Sequence, residues 1–377
     1  MINLSDLRGF ALRFLRPLDP FLLAVALAIV AVATLMLESA SPERLEAHLF
    51  NLAIALAVMW FMAVQPPQRL HSFALPLYVV GLVLLICVAM FGDISKGARR
   101  WLNLGFMRIQ PSELMKIAMP LMLAWYFQKR EGMLKVRDFL VAAVLLALPA
   151  TLILKQPDLG TTLLVLSSGL FVIFFAGLSW KLIVPVGIIG VAGIVAIVSF
   201  ESQICAPGVE WPGLHEYQKH RVCTLLDPAS DPLGKGFHTI QSTIAVGSGG
   251  MLGKGWREGT QTHLDFLPER HTDFILAVIS EEFGLAGVII ILILYCLLIG
   301  RGLMIALNAA TLFGRLLAGA ISMIFFTYAF VNMGMVAGML PVVGVPLPMV
   351  SYGGTALVTL CLGIGILMSV QQHRRRK

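Results

Sequence analysis

Ten apolar stretches dominate the chain, and each is close to the roughly 20 residues that an α-helix needs to cross a bilayer. They lie at residues 21–37, 47–64, 73–91, 110–127, 139–154, 161–178, 182–200, 273–300, 316–337 and 355–370. The 377 residues are 58% hydrophobic and only 13% charged, which excludes an ordinary soluble domain. The sequence therefore predicts an all-α polytopic membrane protein of about ten transmembrane helices, folded as one domain over residues 1–377.

The basic residues indicate how the chain crosses the membrane. The formal net charge is +7, but the cations are spread over many loops, so we expect no nucleic-acid partner. The first apolar run lacks a small-residue cleavage site, and we expect it to be retained as a span. With both termini in the cytoplasm, the inner loops hold Arg8, Arg13, Arg16, Arg69, Lys129, Arg130, Lys135, Arg137, Lys181, Arg301, Arg315, Arg374, Arg375, Arg376 and Lys377. This distribution follows the positive-inside tendency of multi-pass proteins in the plasma (inner) membrane.

Two further groups of cations fall on the outer side, against that tendency. The first, between the third and fourth spans, contains Lys96, Arg99, Arg100, Arg108 and Lys116. The second lies in residues 201–272, which we expect to be a long periplasmic loop, and contains Lys219, Arg221, Lys235, Lys254, Arg257 and Arg270. Any one of these cations could simply meet lipid headgroups or solvent. Together they predict a cationic outer vestibule for a lipid pyrophosphate, which Arg binds bidentately and Lys neutralises.

Prolines and glycines interrupt the apolar run from Asn332 to Ala356. A helix cannot continue through Pro341, Pro346 and Pro348, and the Ser351–Gly354 stretch allows the backbone to turn. Within hydrocarbon such a backbone survives only against protein or a wet cavity. We therefore predict a shaped, non-helical segment between two spans, with Ser351 available to contact a substrate.

Several motifs together resemble the SEDS family of membrane glycan polymerases, which includes RodA and FtsW. The resemblance covers nearly the whole chain and rests on SKGARRW at 95–101, QPSE at 110–113, QPDLG at 156–160, DP at 227–228, DPLG at 231–234, LPERHTDF at 267–274 and the stretch 332–356. Arg270, the Lys96-Gly97-Ala98 form of the first motif and the short basic tail are more similar to the RodA branch than to the FtsW branch.

The resemblance implies a peptidoglycan glycosyltransferase at the outer, periplasmic face of the membrane. Such an enzyme joins lipid II disaccharides by β-1,4 linkage during cell elongation and releases undecaprenyl pyrophosphate. The implied partners are lipid II, the growing glycan strand, membrane lipid, a class B penicillin-binding protein and other elongation-complex proteins. No cluster of acids demands a metal, although a divalent cation could assist at the pyrophosphate. The alternatives are a lipid II flippase, a scaffold for other wall enzymes and a division polymerase like FtsW.

Asp273 is the candidate catalytic residue, because it stands where the long loop ends and the eighth span begins. A carboxylate there either caps the helix or acts as a general base toward a sugar hydroxyl. The resemblance favours the base, since the matching aspartate is required for polymerisation in the family. Asp265 is a rival carboxylate, and His271 would have a supporting role. Arg270 could orient Asp273 or bind phosphate.

Charged residues inside spans are costly and normally have partners. Glu281 follows Asp273 by a little over two helical turns, so we expect it on the same face, with Glu282 pointing elsewhere. The candidate partners or neighbours in a substrate cavity are Glu113, Lys116, Lys155, Gln156 and Asp158. Glu113 and Lys116, three residues apart, could equally form a structural ion pair. Trp101 is either an interfacial anchor or a platform for a sugar ring.

The five cysteines show no metal-ligand spacing. Cys87, Cys296 and Cys361 lie inside apolar spans, where a thiol behaves as a small hydrophobic group. Cys205 and Cys223 lie in the external segment, in a compartment that permits disulfides. We predict that these two form a local disulfide.

Overall fold

Fourteen α-helices make up most of the computed structural model, which describes residues 17–95, 98–103, 108–132, 134–206, 209, 216–228, 235–264, 267 and 269–374. The ten long helices of the bundle are α1 (Pro20–Ala40), α2 (Leu45–Val64), α3 (Pro67–Phe91), α4 (Pro111–Lys129), α5 (Val136–Lys155), α6 (Leu159–Phe175), α7 (Trp180–Ser199), α12 (Ile275–Leu307), α13 (Leu312–Val336) and α14 (Gly354–Gln372). Four shorter ones between α7 and α12 are α8 (Glu201–Ile204), α9 (Glu216–Leu226), α10 (Lys235–Ser248) and α11 (Thr260–His263). The basic residues predicted at 8–16 and 375–377 lie outside the described residues.

The long helices coincide one by one with the predicted spans, which confirms an all-α, multi-pass membrane protein. Within the described residues, eight helices are long and apolar enough to cross a membrane by length and composition. The other two are α4, which carries Glu113 and Lys116, and the 17-residue α6. The charged residues make α4 less apolar than the other spans, whereas α6 is apolar but short, and both pack against several other helices of the bundle.

The bundle is built around α4 and α13, most of whose residues are buried. Small residues let helices approach closely where the core is tight: Gly365 of α14 lies against the backbone of Met59 in α2. By contrast, no described side chain of α7 is buried. The helix α7 therefore lies at the periphery of the bundle, and its exposed side chains are mostly apolar, as expected of a span that faces lipid.

A small antiparallel sheet follows α3, where the sequence predicted only a loop. Its strands are β1 (Asp93–Ser95), β2 (Ala98–Asn103) and β3 (Arg108–Ile109), in the order β1-β2-β3. Leu102 pairs with Ile109 and Asn103 with Arg108. The sheet places Arg99, Arg100 and Arg108 of the first external group on a regular backbone.

The predicted external loop 201–272 includes regular secondary structure among its described residues. It contains α8 to α11, and a disulfide joins Cys205 and Cys223 as the sequence predicts, with Cα atoms 5.7 Å apart. The free thiols of Cys87, Cys296 and Cys361 lie in α3, α12 and α14, as predicted; that of Cys361 is buried and that of Cys296 is exposed on the surface of α12.

A break in α12 is a second feature of the fold that the sequence does not predict. Gly284 has φ +62°, a left-handed conformation that glycine adopts at little cost. The chain between α10 and α11 fills the gap: Leu285 N donates to Gly250 O (2.9 Å) and Ala286 N donates to Met251 O (3.1 Å). In the opposite direction, Lys254 N donates to Glu281 O at 3.0 Å. The external segment thus re-enters the bundle and satisfies the backbone of the broken helix.

Candidate active site

Asp273 lies in a turn over residues 269–274 that leads directly into α12. The N-cap position of α12 is occupied by Phe274, one residue after Asp273. The Asp273 side chain is half-buried. Its backbone carbonyl accepts a hydrogen bond from Asn332 Nδ2 at 2.8 Å, and the same amide donates to Val345 O at 2.8 Å. A fully buried amide therefore ties the turn to the segment after α13.

The segment 337–353 is non-helical, as predicted, and it wraps around that turn. Ser351 Oγ donates to Thr272 O (2.5 Å) and accepts from Leu347 N (2.8 Å), while Tyr352 N donates to His271 O (2.8 Å). Ser351 is buried and its hydroxyl already has two backbone partners. In this structure Ser351 positions the turn, which differs from the substrate contact expected from the sequence.

Two glycines bring the start of α6 against the same turn. A Cβ on Gly344 would lie 3.6 Å from Asp273 Oδ2, and a Cβ on Gly160 would lie 2.6 Å from Val343 O. The absence of a side chain at Gly160 lets the start of α6 approach the backbone of Val343 closely, and Gly344, with φ +73°, lies in contact with the Asp273 carboxylate. The QPDLG motif therefore lies next to the candidate catalytic carboxylate through residues 343–344.

Asp158 organises the polar group at the start of α6. Its Oδ1 accepts from Thr161 N at 3.1 Å as the helix cap, and its Oδ2 accepts from Gln110 Nε2 at 3.3 Å. Arg100 on β2 lies 3.6 Å (Nε) from Asp158 Oδ2 and donates through Nη2 to Pro157 O at 3.0 Å. Arg100 is half-buried, so these partners fix a cation at the outer surface of the bundle.

The other predicted residues of this group have different environments. Gln156 is buried and donates to Leu85 O at 3.1 Å, which joins α5 to α3. Trp101 is half-buried on β2 and Arg108 is exposed on β3. Lys96 and the rival carboxylate Asp265 lie outside the described residues.

Lys116 lies inside the bundle rather than at its outer surface. The side chain is buried, and its Nζ donates to Glu113 Oε1 at 2.5 Å and to Tyr328 Oη at 2.6 Å. The ion pair expected from the i,i+3 spacing is thus present, with a tyrosine from α13 that the sequence analysis missed. The sequence signal for this partner is Tyr328 itself, because a polar hydroxyl deep in an apolar span needs a hydrogen-bond partner.

Glu281 has a different partner from those the sequence suggested. Its fully buried carboxylate accepts from Lys254 Nζ (2.7 Å), Thr260 Oγ1 (3.1 Å) and Gln261 N (3.0 Å). Both the amide and the hydroxyl of Thr262 also donate to it, at 3.3 and 3.2 Å. The prediction of a partner among Glu113, Lys116, Lys155, Gln156 and Asp158 is wrong, because the external segment re-enters the bundle and brings Lys254 to α12. Glu282 is separate and accepts from Ser39 Oγ at 2.5 Å.

Arg270 extends the Glu281 network toward Asp273. Its Nη1 donates to Thr262 O and its Nε donates to Ala40 O, both at 2.7 Å. These bonds link α1, the α11 region and the turn that carries Asp273. Through these two bonds Arg270 holds the turn that carries Asp273 against the end of α1 and against α11.

His271 is held beside an aromatic and several charges. Its ring centroid lies 6.0 Å from that of Tyr352, over which the Arg44 guanidinium also lies, 5.3 Å from the ring centroid. Burial, followed by the charge of Arg44, lowers the pKa of His271 below its ordinary value, against the opposing effect of Glu269. The neutral imidazole is thus favoured near pH 7.

An apolar groove of about 400 Å³ lies between α2, α3, α4 and α14. Its wall includes Glu113 and exposed side chains such as Phe61 and Phe73. A groove of this kind accepts an apolar chain from the surrounding lipid. Among the described residues, no group of three or more His, Cys, Asp or Glu side chains is arranged to hold a metal ion.

Comparison with known proteins places these residues in a family context. The chain matches the FtsW/RodA/SpoVE family model, described as "Cell cycle protein", over residues 18–376. It is 50% identical to the peptidoglycan glycosyltransferase MrdB of Escherichia coli (strain K12) over 361 residues, 95% of this chain and 94% of that protein. It is 38% identical to the stage V sporulation protein E of Bacillus subtilis (strain 168) over 297 residues, 78% of this chain and 77% of that protein.

Solved structures share the same architecture. One comes from a study of the structural coordination of polymerization and crosslinking by a peptidoglycan synthase complex. It superposes with a TM-score of 0.78 and 35% identity, and the match covers 95% of this chain and 99% of that one. The rod shape determining protein RodA of Thermus thermophilus superposes with a TM-score of 0.68 and 28% identity, covering 95% of this chain and 98% of that one.

Proposed function

The chain belongs to the SEDS family of FtsW, RodA and SpoVE proteins, and we propose that it is a peptidoglycan glycosyltransferase that polymerises lipid II. The observation that carries the proposal is the setting of Asp273. This carboxylate is half-buried beside Gly344, and separate elements hold the backbone of its turn through Asn332 and Ser351. A general base must be held in place in this way to act on one hydroxyl.

The reaction is an inverting displacement at a sugar. Asp273 takes the proton of the GlcNAc 4-hydroxyl of one substrate as that oxygen attacks the anomeric carbon of the MurNAc of the other. A β-1,4 bond forms, and the bond from the anomeric carbon to undecaprenyl pyrophosphate breaks. The electron pair of that bond leaves with the pyrophosphate, and the proton remains on Asp273 until solvent removes it.

Cations near the start of α6 stabilise the departing pyrophosphate. Arg100 is the best placed of the described ones, because Asp158 and Pro157 O hold its guanidinium in a half-buried position. Preorganised charge of this kind is worth more in a poorly hydrated site than in water. Lys96, Arg108 and Arg270 are further ligands that we propose for the phosphates. Trp101 provides a flat surface for a sugar beside them.

The Glu113–Lys116 pair and the apolar groove next to it suit the lipid part of the substrate. The groove of about 400 Å³ would hold part of the polyprenyl chain, with Glu113 in its wall. The buried Lys116 keeps its charge compensated by Glu113 and Tyr328 when the groove is empty. Asp158 supports the site by holding Arg100, and Gln156 by joining α5 to α3, while Glu281 supports it through Thr262, whose carbonyl binds Arg270.

The same topology sets the location and the partners that we propose. Both termini lie in the cytoplasm of a bacterial cell, the protein crosses the inner membrane, and the site with Asp273 faces the periplasm. A class B penicillin-binding protein crosslinks the strands that this enzyme makes during elongation. That partner is consistent with the similarity to a chain of a peptidoglycan synthase complex.

A lipid II flippase is the second candidate, because the break of α12 at Gly284 resembles the discontinuous helices of transporters. Two assays separate the candidates. The purified protein, with and without its penicillin-binding partner, is given labelled lipid II and the product is examined for glycan ladders. In proteoliposomes, the same protein is tested for transfer of labelled lipid II between leaflets. Ladders without transfer support the polymerase, and transfer without ladders refutes it.

A further inference from the structure

We propose that a cavity beside Asp273, here called the outer pocket, binds an anionic group of the lipid-linked substrate. Its polar lining consists of Arg221 and Thr224 on α9 and of His238 and Thr239 on α10, and Val342 closes one side. The cavity has a volume of about 150 Å³, which is enough for several water molecules or one group of phosphate size. The inference rests on the proposed function and adds a substrate contact outside the groups described above.

The lining has the donors that an oxyanion requires. Arg221 and Thr224 are one turn apart and therefore lie on the same face of α9. A guanidinium and hydroxyl groups can all donate to one phosphate or carboxylate. The wall that Val342 provides is apolar, so an anion inside is partly shielded from water and its bonds to Arg221 are strengthened.

His238 adds a polar atom that the fold leaves unsatisfied. Its Nδ1 is buried and has no hydrogen-bond partner among the described residues. The ring stacks on Phe274 with centroids 5.9 Å apart and an angle of 10° between the planes, which fixes its orientation. Burial lowers the pKa of His238, against the charge of Glu269, so the ring is neutral near pH 7 and one nitrogen carries a proton. A bound anion would accept a hydrogen bond from that N–H group.

Two of the residues that line the outer pocket, His238 and Val342, connect it to the neighbourhood of the candidate catalytic carboxylate. Phe274, on which His238 stacks, directly follows Asp273 and is almost fully buried. Val342 precedes Val343 and Gly344, and Gly344 lies against Asp273 Oδ2. A ligand in the pocket would therefore be near the reacting sugars. The substrate carries anions at its pyrophosphate and at the carboxylates of its stem peptide, and either has the required chemistry.

Equilibrium binding of fluorescent lipid II to the detergent-purified protein tests the pocket. We expect Arg221→Gln to raise Kd roughly ten- to hundredfold and His238→Gln to raise it severalfold, because a charge-assisted hydrogen bond is lost in the first case. Arg221→Lys should recover part of the loss. Arg137→Gln is the matched control, since Arg137 is an exposed arginine at the start of α5, away from the pocket. Thermal unfolding of each variant separates lost binding from lost folding.

A lipid II derivative without the stem peptide identifies the anion. If the pyrophosphate occupies the pocket, Arg221→Gln weakens binding of both lipids by the same factor. If a peptide carboxylate does, the variant and the wild type bind the derivative equally. Folded Arg221→Gln and His238→Gln proteins that bind both lipids within twofold of the wild type would overturn the proposal. A parallel assay of the wild type for glycan ladders separates the two proposals. If ladders form, such a result overturns the outer pocket as a binding site but leaves the polymerase function standing.

Discussion

Removal of the Glu281 carboxylate should loosen the external segment from the bundle. The Glu281 carboxylate is fully buried and accepts five hydrogen bonds. Four come from backbone or side-chain groups of Thr260, Gln261 and Thr262, and the fifth comes from Lys254. Glu281→Gln keeps the size of the group but removes its charge and replaces an accepting oxygen by a donor. Several of these donors then lose their acceptor, and the Lys254 ammonium loses its counter-charge.

The magnitude follows from the burial of the two partners. Loss of one partner of a buried ion pair costs about 3–5 kcal/mol. The Lys254 side chain is 27% exposed, so water can partly solvate it, and we expect about 3 kcal/mol for Glu281→Gln. Lys254→Met leaves a buried carboxylate without its cation. The losses of unfolding free energy from the two substitutions should therefore not be additive. The double variant should lose about 1.5–3 kcal/mol less than the sum of the two single losses.

Reversible unfolding of the four proteins in one detergent measures this coupling. Arg257→Gln is the control, since it breaks the exposed ion pair with Glu38 (3.1 Å) and should cost at most about 1 kcal/mol. Arg270 binds Thr262 O, so polymerisation by Glu281→Gln should show a lower kcat with little change in KM. Additive effects of Glu281→Gln and Lys254→Met, within about 0.5 kcal/mol, would refute the reasoning.

Three further perturbations test the site and its surroundings. Gly160→Ala would place a methyl group about 2.6 Å from Val343 O, so we expect a loss of roughly 1–3 kcal/mol in unfolding and at least a roughly tenfold loss of polymerisation; unchanged values would contradict the packing. Burial lowers the pKa of His271, so the folded state binds its proton less well and stability should decline as pH falls below the unfolded value of 6.5. His271→Gln should flatten this decline, and an identical profile would argue against it. Alkylation without reductant should leave Cys205 and Cys223 unmodified in the intact mass, whereas two labelled thiols would exclude the disulfide.

The sequence predicts the helices well because a bilayer demands long apolar segments. The non-helical segment after α13 was also predictable, since Pro341, Pro346 and Pro348 forbid a helix whatever their neighbours are. Hydropathy does not indicate which helices pack against each other or which of their side chains meet. The contact of Lys116 with Tyr328, 212 residues away, depends on the packing of α4 against α13.

The break of α12 shows where prediction from the sequence stops. Gly284 lies within a predicted span, two residues after Glu282 and before a long apolar run, and a single glycine in a helix is tolerated. Only the tertiary arrangement of Gly250 to Lys254 against α12 reveals the break and gives Glu281 its partner. The sequence does carry a signal for Asn332, because an amide within a span is costly unless it has hydrogen-bond partners.

Polymerisation of labelled lipid II by the wild type and by Asp273→Ala, with the penicillin-binding partner present, tests the central claim most directly. Glu258→Ala is the matched control, because it removes an exposed acid from the same external segment. We predict glycan ladders from the wild type and the control and none from a folded, partner-bound Asp273→Ala protein. Ladders that persist in Asp273→Ala would contradict the account and assign the base to another carboxylate.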